Sequence, residues 1–384
     1  MNAKTSAKSV GTNSKTTMGN PYHNKTAQWI AYTLFFLALA AIPFNVDDDF
    51  LLNQLATYGV YGMLALSISL CWGFGGILNL GQGIAFGLGA YGMAMTMQMQ
   101  TQTAENPVPP IMLNNGLDYL PFLWWPFQNT VSGLIFAVGI PTLFCAVFGR
   151  IMFKARVSGA FFAIMTLAML SAFYTIILDQ QAYTGGVNGI TPPSPLQLGS
   201  FQIDPYSPAA YWTVFFALLI ATVIAKLITQ SSFGLVTQAI RDDAERVRFL
   251  GYSVSSYETT IYTISGLIAA VAGCLWVMVV QYVSPAQLDV GLSISMVIWA
   301  AIGGRMSLLW AIIGAFLIQG GQSYLGDAFL STWLLILGGF FIIVVRFLPN
   351  GLASLVEAGL GMLARKPKET SFREPSGVKP VPSE

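Results

Sequence analysis

Of 384 residues, 54% are hydrophobic and 9% are Asp, Glu, Lys or Arg, and the formal net charge is +1. Ordinary globular chains carry about 25% charged residues, so a soluble domain is excluded, and a charge this near zero makes no case for nucleic acid as a partner. Several apolar runs reach the roughly 20 residues that a helix needs to cross a bilayer, so the chain reads as an all-α polytopic membrane protein.

Residues 1–26 are mostly Ser, Thr, Asn, Lys and Gly, with four lysines and no acid, and read as a disordered cytoplasmic tail. The first span is Ala27–Phe44. Small residues at Ala38–Ala41 also suit a cleavable signal peptide, which the long polar lead-in opposes. Spans two and three, Leu51–Phe74 and Leu78–Met97, are joined by the Gly-rich turn GFGGILNLGQG. Gly81, Ala85 and Gly89 share one face of the third, a spacing that lets a neighbouring backbone come close. A loop from Gln98 to Trp125 carries acids but no base, and its Pro, Trp, Leu and Phe run is expected to pack at the membrane interface. The fourth span, Phe127–Phe148, contains Pro141, which is expected to kink it.

Val157–Leu178 is the fifth span, followed by an acidic loop with turn formers at Thr184–Pro193. The sixth is Ala210–Ile228, the seventh Thr259–Val283, the eighth Val290–Ile302, the ninth Leu308–Tyr324 and the tenth Leu330–Val345. Residues 27–348 thus read as the transmembrane domain, interrupted by a cytoplasmic segment at 231–254, and residues 349–384 as a basic cytoplasmic tail. With the N-terminus inside, all 18 Lys and Arg fall on the inner side or at inner helix ends, and nine of the 17 acids fall outside. The placement of basic residues sets orientation, so both termini are expected in the cytoplasm.

No Asp, Glu, Lys, Arg or His sits near the middle of an expected span, where proton relays and ion sites place them. Cys71, Cys145 and Cys274 lie inside spans without metal-ligand spacing and read as small core residues, and the one histidine is His23 in the tail. No metal or cofactor is expected, and no catalytic constellation or Walker A loop occurs. Either the solute crosses passively or the energy comes from another subunit. Uncharged polar residues do occur at depth: Asn53, Gln54, Asn79, Gln82, Thr166, Gln319 and Gln322. Each can bond across a helix interface or cap a broken backbone. Together they would also suit a path for a small neutral or zwitterionic solute. Asn79, Gln82, Thr166 and Gln319 are the candidates for that path, the first two because they sit in the Gly-rich break.

The long charged stretch between apolar spans is Leu235–Tyr252, with six charges in eight positions. As one helix it puts Val236, Ile240, Ala244, Val247 and Leu250 on one face. Arg241, Glu245 and Arg248 lie on the other, and Asp243 is out of place near the apolar stripe. Asp242 and Asp243 precede Arg246 and Arg248, the order that suits a helix dipole, and Gly251 is a natural C′ stop. Such a helix rests at the lipid headgroups or docks another protein.

Glu245–Gly251 reads E-x-x-x-x-x-G. It resembles the cytoplasmic Glu-Ala-Ala-x-x-x-Gly motif of bacterial ABC-importer permeases, with Arg246 and Val247 in place of the two alanines. Five stretches look like the branched-chain amino acid and urea permease family: AIRDDAERVRFLGYSVSSYE (Ala239–Glu258), SFG (Ser232–Gly234), GFGGILNLGQGIAFGLGAY (Gly73–Tyr91), SGAFFAIMTLAM (Ser158–Met169) and SMVIWAAIGGRMSLLWAIIGAFLI (Ser295–Ile318). The likeness covers about residues 51–350. RDDAERVRFLGY and LDYLPFLWWPFQ (Leu117–Gln128) are most similar to the second permease subunit of urea importers.

The resemblance implies an ABC-importer permease fold of about ten spans, with two related halves, in a bacterial inner membrane. GGILNL (Gly75–Leu80) and GGRMSL (Gly303–Leu308) are a faint echo of the halves. It implies import of urea or a similar small polar amide, driven by ATP hydrolysed on separate subunits. A branched-chain amino acid is the alternative substrate, and a passive channel for a neutral solute is the alternative from another class. The implied partners are a homologous second permease, two cytoplasmic ATPases, an external binding protein and membrane lipid. Arg241, Asp242, Asp243, Glu245, Arg246, Arg248 and Gly251 are the expected ATPase-coupling residues.

Overall fold

A chain without water to bond must close its backbone hydrogen bonds internally, so helices carry nearly all of it. The computed structural model describes residues 25–103, 106–199 and 201–325, with isolated positions at 335, 338–339 and 351–353. Helix α1 (Lys25–Ala41) runs into a 3₁₀ turn at Ile42–Phe44. Helix α2 (Asp49–Ile68) begins where the Asp48 side chain accepts from the Phe50 N–H, and it ends in a π-helical turn, Ser69–Phe74. After an irregular stretch comes α3 (Gln82–Met99). The single turn α4 (Pro110–Leu113) and a 3₁₀ segment at Phe122–Gln128 lead to α5 (Thr130–Lys154) and α6 (Gly159–Asp179). Next come the short α7 (Gln181–Thr184) and a small antiparallel hairpin. Its strands β1 (Leu196–Leu198) and β2 (Phe201–Ile203) pair with Leu196 opposite Ile203. Helix α8 (Pro208–Gln230) precedes the charged segment, α9 (Ser232–Asp242) and α10 (Ala244–Phe249). Helices α11 (Val254–Val280), α12 (Val290–Gly303) and α13 (Leu308–Leu325) follow.

The buried axis is α3, in which every residue but Leu88 is buried. Small residues make this possible. A Cβ on Gly89 would stand 2.4 Å from the Ala270 carbonyl oxygen, and one on Gly273 would stand 2.0 Å from that of Phe86. The backbones of α3 and α11 therefore touch, as helices packed through small residues do. Gly81 meets the Thr166 carbonyl of α6 in the same way, so the expected glycine face serves two neighbours. Pro141 is accommodated inside α5, which runs unbroken. In the loop expected at the interface, Trp124 and Phe127 turn inward with their rings 5.3 Å apart, while Phe122, Leu123 and Trp125 face out.

The count of spans needs correction. Five helices are long and apolar enough to cross a membrane: Asp49–Phe74, Thr130–Lys154, Gly159–Asp179, Pro208–Gln230 and Val254–Val280. A sixth is reached if α12 and α13 count as one broken span, so ten full spans are not found among the described residues. Helix α12, with 14 residues, is about 21 Å long, shorter than a hydrocarbon core of about 30 Å. It bends by 118° into α13. Glycine, glutamine and threonine dilute α3, which is enclosed by protein rather than lipid. The expected tenth span, Leu330–Val345, falls outside the described residues but for positions 335, 338 and 339, as do residues 1–24 and most of 349–384.

Candidate coupling surface and solute path

The charged segment is held to the bundle by its apolar side. Ser231 caps α9 by accepting from the Gly234 N–H at 3.2 Å. Ile240 and Val247 are buried with Val254 in a small cluster completed by Val236, Ala244 and Tyr257. The Phe233 ring stacks on Tyr257 at 5.1 Å. Two helices, not one, build this stripe. The chain breaks at Asp243, whose extended backbone (φ −157°, ψ 93°) ends α9. Its carboxylate accepts from the Arg246 N–H at 3.1 Å and pairs with the Arg246 guanidinium at 2.7 Å. An Asp beside an apolar stripe is misplaced on a continuous helix, but as the N-cap of a second one it satisfies an open donor. The break also moves Leu250 off the stripe, leaving it 76% exposed beside Phe249 at 89%. Gly251, at φ +89°, donates to the Arg248 carbonyl.

Arg241 is the second correction. Rather than facing away from the membrane domain, it points into it. Its Nη1 donates to the Gly73 carbonyl at 2.8 Å and reaches the Met306 sulfur at 3.1 Å, and Nε and Nη2 both bond Asp242 Oδ1. Gly73 belongs to the π turn of α2, and Met306 to the turn between α12 and α13. Those two places are themselves joined. Ser69 Oγ donates to the Arg305 carbonyl at 2.9 Å, and the Arg305 guanidinium lies over the Trp72 ring at 5.2 Å. A Cβ on Gly73 would fall 1.7 Å from the Arg305 carbonyl oxygen. Gly76, at φ +71°, lies under the stem of Arg241. One arginine thus ties the charged segment to both helix breaks, GGILNL and GGRMSL. No sequence signal marked this, because its main partner is a backbone carbonyl 168 residues away. The outward face carries Asp242, Glu245, Arg246, Arg248, Phe249, Leu250 and Tyr252.

Three of the four expected path residues prove to be joined in one network. Gln82 Nε2 bonds Ser67 Oγ at 2.9 Å, the Ser265 carbonyl at 3.0 Å and Ser265 Oγ at 3.1 Å, and Gln82 Oε1 accepts from Asn79 Nδ2. Asn79 Oδ1 accepts from the Gly81 N–H, and Thr166 Oγ1 accepts from the Leu80 N–H. Ser293 completes the set by donating to the Leu80 carbonyl at 2.7 Å. All are buried. Irregular backbone at this depth must be satisfied by protein or water, and these side chains satisfy it: they brace the break. Asn53 is likewise spent on two carbonyls, of Pro205 and Val279, and Gln322 is exposed.

Gln319 differs. It is 7% exposed and lies beside Tyr61, and its Oε1 has no partner. Among the described residues, no three His, Cys, Asp or Glu side chains gather to hold a metal.

The family described as branched-chain amino acid transport system / permease component matches residues 50–345. The chain belongs to this family. The permease is therefore a multi-pass membrane component of a transport system and not an enzyme. It is similar to the high-affinity branched-chain amino acid transport system permease protein LivM of Salmonella typhimurium, 25% identical over 365 residues that cover 87% of this chain and 78% of that one. The probable branched-chain amino acid transport permease protein LivM of Methanocaldococcus jannaschii is 21% identical over 334 residues, 79% of this chain and 93% of its own. The fructose import permease protein FrcC of Rhizobium meliloti is 31% identical over a shorter stretch of 138 residues, 33% of this chain and 37% of its own. No solved structure matches. The two LivM relatives above, which match over most of the permease, are both named for branched-chain amino acids. One of them is archaeal, so family membership alone does not make the host a bacterium.

Proposed function

We propose that this permease is one half of the translocation unit of an ATP-driven importer in a bacterial inner membrane, and that it passes a branched-chain amino acid inward. The reading requires a homologous second permease, two cytoplasmic ATPase subunits and an extracytoplasmic binding protein. The observation that carries it is the charged segment, whose buried stripe and Arg241 are committed to the membrane domain while Glu245, Arg246, Arg248, Phe249 and Leu250 are left exposed. A surface with charges ringing two exposed large apolar side chains suits a protein partner. Through Arg241, a push on α9 and α10 reaches the breaks before α3 and α13 together. A passive channel has no need of such a face.

Urea is the second reading. What favours it is that no charged side chain lies near the middle of a described span, while a zwitterion carries two charges that need compensation. The test is uptake of labelled leucine and labelled urea in native cells, with and without the permease, before and after ATP depletion. Leucine uptake lost with the permease and with ATP is the expected result. Loss of urea uptake alone moves the substrate to the second reading, and permease-dependent flux that survives ATP depletion overturns the importer.

A further inference from the structure

We infer that the solute pauses in transit against Tyr61, Trp276, Trp299 and Gln319, and that this is where the permease recognises it. Tyr61 lies near the middle of the Asp49–Phe74 span. Toward one end of that span Asn53 bonds the Val279 carbonyl, and toward the other Ser67 meets Ser265. The Tyr61 ring is 4.9 Å from that of Trp299 and 5.3 Å from that of Trp276, and Phe86 backs Trp276 at 6.0 Å. Gln319 lies beside Tyr61. Within this cluster two polar atoms are shut from solvent without a partner, the acceptor Gln319 Oε1 and the donor Trp276 Nε1.

Buried polar atoms are nearly always bonded, and in a bilayer interior the shortfall is harder to relieve. An orphan acceptor and an orphan donor against the same tyrosine fit a solute with donors at one end and an acceptor at the other. A branched-chain amino acid meets that description. Its ammonium can donate to Gln319 Oε1 while lying over the ring faces, which attract cations, and its carboxylate can accept from Trp276 Nε1–H. The branched side chain packs on the remaining aromatic surface. With no charged side chain in the cluster, binding is weak, as a transit site requires if the solute is to leave. Trp299 and Gln319 belong to α12 and α13, on either side of the bend at which Met306 touches Arg241, so a movement at the coupling surface reaches both walls.

This inference rests on the amino acid reading above, and the experiment separates the two. Leucine import at saturating leucine is measured in native cells carrying the full importer with Trp276→Phe, which keeps the ring and loses the N–H, or Gln319→Met, which keeps the length and loses the amide. Permease-dependent leucine import by the wild type tests the function, and its absence overturns that reading alone. Given that import, each variant is expected to slow it about fivefold, the loss of one hydrogen bond. The permease should stay in the membrane at wild-type level, because deleting an unpartnered polar atom strands nothing. Wild-type import by both variants overturns the site. Loss of either variant from the membrane overturns it too, since the group would then be structural. A wild type that imports urea and not leucine, with urea import slowed in both variants, overturns the amino acid as occupant.

Discussion

The buried polar clusters around Gln82 and around Tyr61 differ in whether their bonds are complete. Around Gln82 each amide and hydroxyl finds a partner within the protein, and most of those partners belong to the irregular backbone between α2 and α3 or to the helices facing it. Around Tyr61 an acceptor and a donor are left over. The first cluster makes a broken helix stable at depth. The second keeps bonding capacity in reserve, which a structural element has no reason to do. Polarity in a membrane span is thus a poor guide to function until its partners are counted.

The largest effect is expected at the axis both clusters share. Gly89→Val, whose side chain would overlap the Ala270 carbonyl, is expected to remove most folded permease from the membrane fraction, a penalty of about 3 kcal/mol or more. Survival at wild-type level would mean that α3 and α11 can separate, and that neither cluster is rigidly held. Next comes Gln82→Leu, which leaves Asn79 Nδ2 without its partner and removes the donor to Ser67 and Ser265. Thermal unfolding in detergent should show a loss on the order of 2 kcal/mol. Gln319→Met in the same assay should lie within about 0.5 kcal/mol of wild type. Equal losses for the two would erase the distinction between brace and reserve.

Smaller effects are expected at the coupling surface. Arg241→Ala removes the link to the Gly73 carbonyl and should uncouple ATP hydrolysis from import, lowering the ratio of solute moved to ATP consumed about fivefold. An unchanged ratio would mean that the link is only structural. Asp243→Ala loses the cap of α10, which is worth about 1 kcal/mol, and should show as faster proteolysis within Ala244–Leu250 with folding otherwise intact. Glu245→Lys should lower import while leaving the thermal stability of the isolated permease unchanged, because Glu245 is exposed. A drop in stability there would place Glu245 in the bundle.

Much of the architecture was legible in the sequence because a bilayer demands long apolar runs and a basic inner side, both of which are one-dimensional properties. The ends of α1, α2, α6, α8 and α13 fall within a few residues of expectation for that reason. The likeness of SFG, GFGG and GGRM to the permease family also pointed to the family that matches. The structure decided what depends on partners far apart in the chain. Periodicity assumes an unbroken helix, so it could not show that Asp243 divides the charged segment, that Leu250 leaves the stripe, or that Arg241 turns inward to a carbonyl. Nor could it show that α12 is too short to cross alone, since its bend is fixed by Gly303 and Gly314 packing against backbone of the facing helix. Asn79, Gln82, Thr166 and Gln319 are alike as polar residues in apolar runs. Only their neighbours in space, such as Ser265 at 183 residues from Gln82, separate three that brace the backbone from one whose oxygen has no partner.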